Sequence, residues 1–177
     1  MEVTKKLGKK RKRKLPKAVM YEEFVQIMKA MKDKERIFKI GFILAYGSGL
    51  RISEVVRLQK ENINVVRKTI FIWGGKGGVD RTVPLPKMWR DGMIRYLPIS
   101  KSVRSLERKF NKYRKKLGLP LFYTFHSLRH GFATRLIEQG VPITHVQVLL
   151  GHSDVSTTGV YIKARPMDAL KSYEEKF

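Results

Sequence analysis

A mainly α-helical α+β domain with one small three-stranded antiparallel sheet is predicted by three features of the sequence. Apolar residues recur at helical spacing over most of the chain from Met20 onward. One central block of β-branched and aromatic residues is split by a glycine-rich turn. The length, 177 residues, suits one domain with a substantial core. Residues 1–17 stand apart as a basic tail, so the domain is read over 18–177.

The elements follow in order. Phe24, Ile27, Met28 and Met31 mark the apolar face of a first helix. A nearly continuous apolar run over 37–46 predicts a deeply buried second helix, which Gly47 and Gly49 stop. "LRISEVVRL" starts a third, with Ser53 and Glu54 in its polar first turn. Strands are read over 69–73 and 81–85 around "GGKGGVD", with a shorter one near 63–66. Helices return over 101–117, 127–139, 143–150 and 168–176. In the C-terminal stretch "MDALKSYEEKF", Met167, Leu170, Tyr173 and Phe177 recur at helical spacing. There is no internal repeat.

Charge narrows the partners. Thirty-eight Lys and Arg against 15 Asp and Glu leave +23, far beyond what solubility requires, so a polyanion is the expected partner. Nucleic acid is the first candidate and an anionic membrane surface the second. No stretch approaches the ~20 consecutive apolar residues of a membrane span, and the start lacks the apolar core of a signal peptide, so a cytoplasmic protein is expected. With no cysteine, disulfides, thiolate metal sites and cysteine nucleophiles are excluded. The tail carries nine cations, among them Lys9, Lys10, Arg11, Lys12, Arg13 and Lys14, against Glu2 alone. Such a block repels itself and is expected to be disordered until it meets a polyanion; a solvated or targeting tail is the plainer reading.

"HSLRH" places His126, Arg129 and His130 at i, i+3 and i+4, on one helix face, with Leu128, Phe132, Leu136 and Ile137 left to pack. Two histidines four apart can bind zinc, but the metalloprotease pattern needs a glutamate beside them; no metal is expected. Cations at a helix N-terminus oppose its partial positive charge, so the arrangement suggests a bound phosphate. Arg51 follows a glycine turn, Lys76 lies between glycines, His152 follows a helix-capping glycine, and Tyr161 lies beyond it. Each alone has a plain reading as a surface cation, a solvated turn or an amphipathic helix end.

In order, however, "GLRISE", "GGKGG", "HSLRHGFATRLIEQG" and "LLGHSDVSTTGVY", with Tyr161 nine residues after His152, resemble the catalytic domain of the tyrosine recombinases, which include phage integrases and Xer proteins. The resemblance covers roughly 15–161. It implies that family's catalytic-domain fold and a catalytic set of Arg51, Lys76, His126, Arg129, His152 and the nucleophile Tyr161. It implies site-specific cleavage and rejoining of DNA through a 3′-phosphotyrosyl intermediate, with no metal, ATP or other cofactor. It also implies a homotetramer on two double-stranded sites, a monomer or weak oligomer when free, and residence with the nucleoid. The C-terminal segment, 166–177, would dock on a neighbouring subunit; a helix packed on its own domain is the equal alternative. Lys76 and the tail cations would contact DNA, the tail through salt-sensitive phosphate contacts. Glu54 is expected to orient Arg51 or cap its helix, His130 to be a buried structural hydrogen-bonder, His145 to face solvent, and Trp73 to pack on the sheet. The alternatives are type IB topoisomerase-like relaxation, a non-catalytic DNA-binding regulator of the same fold, and a basic RNA-binding protein.

Overall fold

The computed structural model describes residues 17–74, 80–151 and 166–177. Its elements are α1 (Tyr21–Ala30), α2 (Arg36–Ser48), α3 (Ile52–Arg57), β1 (Ile63–Asn64), β2 (Thr69–Ile72), β3 (Arg81–Pro84), α4 (Val103–Lys116), α5 (His126–Glu138), α6 (Ile143–Leu150) and α7 (Pro166–Glu174). The strands form one antiparallel sheet in the order β1-β2-β3.

Helix α2 is the axis of the packing. Every residue from Ile40 to Tyr46 is buried, as an all-round apolar helix requires. It lies against α1, where the Phe24 and Tyr46 rings stack at 4.0 Å, and against α4 and α5, where Phe42 meets Phe110 and Phe125 edge-on. Helix α4 presents Leu106, Phe110 and Tyr113 inward, and Ser102 caps it by accepting the Ser105 N–H.

Two apolar clusters share α5. Its first half gives Leu128 to the main core, and its second gives Phe132 and Leu136 to a smaller one built with α6 and α7. Helix α7 thus packs on its own domain through Ala169, Leu170 and Tyr173, while Met167 stays exposed. Ile137, read as a packing residue, is also exposed, because it lies on the outer side of α5. Trp73, read as packing on the sheet, is 70 % exposed: β2 ends at Ile72, and the indole meets only the edge of the Phe71 ring among the described aromatic contacts. No helix among the described residues is long and apolar enough to cross a membrane.

Candidate active site

Two helix C-termini and one helix N-terminus converge on the site. Helix α2 ends at Gly49 in a left-handed conformation, φ +68°, and α6 ends likewise at Gly151, φ +63°. A Cβ on Gly49 would lie 2.6 Å from the Phe132 ring, and one on Gly151 would lie 2.8 Å from Arg81 Cδ. Glycine therefore serves both positions twice, by its backbone conformation and by letting neighbours approach.

The carbonyls at these ends receive guanidinium donors. Arg129 Nη1 donates to Gly49 O at 2.7 Å and its Nη2 to Leu150 O at 2.5 Å. Arg51 Nη2 donates to Gly151 O at 3.3 Å, and Arg81 Nε to Leu149 O at 2.9 Å. Helix C-termini carry partial negative charge and unpaired carbonyls, so they compensate cations brought to them. The positive charge that looked misplaced at the start of α5 is accommodated this way: Arg129 turns inward, 3 % exposed, against the ends of two other helices. His126 and His130 remain on the exposed side of α5, so the motif does not share a single face.

Among the described residues, Glu54 is the one carboxylate in the cluster. One oxygen accepts the Arg51 N–H at 2.7 Å, closing the first turn of α3, while Arg51 Nη1 donates to the other at 3.0 Å. Glu54, expected to orient Arg51 or cap its helix, thus bonds both the main chain and the guanidinium of Arg51. Arg81 adds a two-pronged grip, Nη1 to Oε1 at 2.9 Å and Nη2 to Oε2 at 2.8 Å, and Arg129 Nη1 lies 3.9 Å from Oε2. Burial by itself would raise the Glu54 carboxyl, but the Arg81 fork and the Arg51 bonds outweigh it and hold the group below its usual range. Arg129 is lowered to about 10, first by burial and then by Arg51 and Arg81, and so stays charged at neutral pH. Three guanidiniums around one carboxylate leave a surplus of positive charge suited to an anion. The Arg51 side chain, 40 % exposed, presents that charge outward, whereas those of Arg81 and Arg129 are 4 % exposed.

The histidines depart from expectation. His130 is exposed rather than buried, its ring edge-on to His126 at 4.6 Å. Partial enclosure, then Arg129 and Lys17, lower its pKa and favour the neutral ring. His145 is half-buried, not solvent-facing, because Nδ1 lies 2.8 Å from Ser172 Oγ of α7. Lys76, His152 and Tyr161 lie outside the described residues, as do Lys9, Lys10, Arg11, Lys12, Arg13 and Lys14. The chain on either side of Lys76 is joined by the Gly74 N–H donating to Asp80 Oδ1 at 2.7 Å. Among the described residues, no group of three or more His, Cys, Asp or Glu side chains could hold a metal ion.

Sequence reasoning missed Arg81. Its signal was present in the alternation Arg81, Val83, Leu85, which sets an arginine on the buried face of a strand. Such a position requires partners, and Glu54 and Leu149 supply them.

Residues 17–167 match the Phage integrase family. Tyrosine recombinase XerA of Thermococcus kodakarensis is 35% identical over 182 residues, covering 93% of this chain and 64% of the relative. The chain therefore spans less than two thirds of that relative's length. The fold is similar to that in the crystal structure of XerA recombinase, with TM-score 0.65, 22% identity and coverage of 89% of this chain and 64% of that one. A lambda integrase tetramer bound to a Holliday junction gives TM-score 0.60 and 21% identity, over 81% of this chain and 49% of that chain. Motif order, fold and family match coincide, and the chain belongs to the phage integrase family, that of the tyrosine recombinases.

Proposed function

We propose that this chain is a site-specific recombinase that cleaves and rejoins DNA strands through Tyr161. The observation that carries the reading is the surplus of guanidinium charge held around Glu54 by Arg51, Arg81 and Arg129. A phosphodiester resists nucleophiles because it is an anion, and its transition state gathers more charge on the nonbridging oxygens. Arginines fixed in advance stabilise that charge as it develops.

In the proposed step the Tyr161 oxygen attacks phosphorus and the bond to the 5′ oxygen breaks, leaving a 3′-phosphotyrosyl link and a free 5′-hydroxyl. A phenol of pKa ~10 is about 0.1% ionised at neutral pH, so ionising it costs about 4 kcal/mol unless a base or the local field helps. His126 is the base on this reading and the arginine cluster provides the field. Lys76 returns a proton to the leaving oxygen, and His152 bonds a nonbridging oxygen. The covalent link retains the energy of the broken bond, so rejoining needs no ATP, and attack by a partner duplex exchanges strands.

Double-stranded DNA is the proposed partner, with four subunits on two sites and the protein resident with the nucleoid. The net charge, the family membership and the junction-bound tetramer of similar fold support this. The test incubates the chain and Tyr161→Phe with nicked duplexes and supercoiled plasmid without magnesium, followed by denaturing gels. A DNA–protein band lost in the variant is expected. Tight binding with no band on any substrate would favour a non-catalytic regulator, and relaxation without exchange would favour a topoisomerase.

A further inference from the structure

Arg81 is the one arginine of the cluster contributed by the sheet. It sits opposite Ile72 across the β2–β3 pair, on the face shared with buried Ile70 and Val83, where a strand ordinarily places an apolar residue. Its fork grips both Glu54 oxygens and its Nε donates to Leu149 O. Three directions of the guanidinium are thus committed to protein, and the side chain is almost fully enclosed. It does not face outward to meet a phosphate.

Its effect runs through Glu54. The carboxylate that Arg81 holds is the one that receives both the main-chain N–H and Nη1 of Arg51. A carboxylate gripped on one side only can rotate about its last bond; gripped by a planar fork on the other side, it has one orientation. Arg51, whose remaining bond to Gly151 O is long at 3.3 Å, inherits that orientation. The fit is close enough that a side chain at Gly151 would strike Arg81. Lysine could keep the charge but not the fork, since one ammonium cannot span two carboxylate oxygens and a carbonyl in the same plane.

We infer that Arg81 is a positioning residue: it locks Glu54 from the core side and thereby aims the Arg51 guanidinium at the scissile phosphate. The inference rests on the proposed strand-transfer reading for its phosphate, but not for its geometry, and the two are tested separately.

Geometry is read from the Arg51 guanidinium NMR signal, assigned by its loss in Arg51→Lys. In Arg81→Lys that signal moves to the position of exposed arginines; an unmoved signal in a folded variant overturns the inference whether or not the chain cleaves DNA. Chemistry is read on the duplex that yields the Tyr161-dependent adduct. Single-turnover cleavage by Arg81→Lys falls by roughly 100-fold while DNA affinity changes less than about threefold. With a neutral methylphosphonate at the scissile position, which removes the charge Arg51 must meet, the deficit shrinks below about tenfold. An equal deficit on both substrates, or none on either, overturns the positioning role. If Arg81→Lys does not melt cooperatively, Arg81→Gln, whose amide can still donate to Glu54 but has neither the charge nor the fork, is taken through the same comparison with the same expected outcomes. Absence of any adduct from the unaltered chain counts against strand transfer and leaves the NMR result to decide the positioning.

Discussion

Glu54 and Glu35 are both enclosed carboxylates held in ion pairs, and they teach different things. Glu35 accepts Lys109 Nζ at 2.6 Å, the Tyr113 hydroxyl, and the Lys32 N–H at 2.9 Å. Lys109 also lies over the Phe38 ring at 4.6 Å. One carboxylate there meets one ammonium and a neutral phenol, so charge is balanced and the cluster pins the turn before α2 to α4. Glu54 faces three guanidiniums, and the imbalance remains once the bonds among the described residues are made. An enclosed ion pair is by itself weak evidence of function. An enclosed surplus of one sign is stronger, since folding alone does not call for it.

The largest expected effect breaks the comparison on the Glu54 side. Glu54→Ala leaves Arg81 buried without its counterion, which should cost about 3–5 kcal/mol of stability by denaturant titration. Adduct formation should fall by at least ~10³ where the fold survives. A loss below about 1 kcal/mol would mean that helix-end carbonyls alone hold the arginines.

Glu35→Gln sharpens the contrast with a smaller change. It should cost about 1–3 kcal/mol, because Lys109 loses its partner, and leave the rate of adduct formation unaltered. A slowed cleavage step in this variant would show that the two clusters are coupled.

The smallest effect is read from acid. Burial opposes ionisation of Glu35, but the Lys109, Tyr113 and Lys32 hydrogen bonds prevail and bring it from 4.5 to about 2. A carboxyl more acidic in the folded state than in the unfolded one stabilises fully above the unfolded value, and its contribution is lost as pH falls through the folded one. The melting temperature should therefore decline between about pH 4.5 and 2, and less steeply in Glu35→Gln. Glu54 is shifted in the same direction, so part of the decline should persist in that variant.

Much of this was legible in the sequence, and the exceptions have physical causes. The periodicity of Phe24 and Ile27 marked the buried face of α1, with Met31 at its C-cap, and the bounds of α6 and the presence of a three-stranded sheet were readable from local pattern. Glu54 was readable as a partner of Arg51 because capping is a local interaction three residues long. Arg81 was not assigned because its partners lie 27 and 68 positions away. His130 and His145 were misjudged for a related reason: the exposure of a helical residue depends on which neighbour covers that face. For His145 the neighbour is Ser172 of α7, and for His130 the described face is open. Trp73 fell just past the end of β2, where residue type predicts packing but the strand no longer supplies a surface.

By itself the sequence determined the fold class, the family and the residue types available for chemistry, because hydrophobic period, glycine turns and motif order are properties of the chain taken locally. Only the tertiary structure decided how the charges are reconciled. Bringing the ends of α2 and α6 against the start of α3 sets main-chain carbonyls and one carboxylate around three arginines. That arrangement buries two of the guanidiniums and leaves Arg51 facing outward, an outcome that depends on distances between elements and on the low-dielectric interior they enclose.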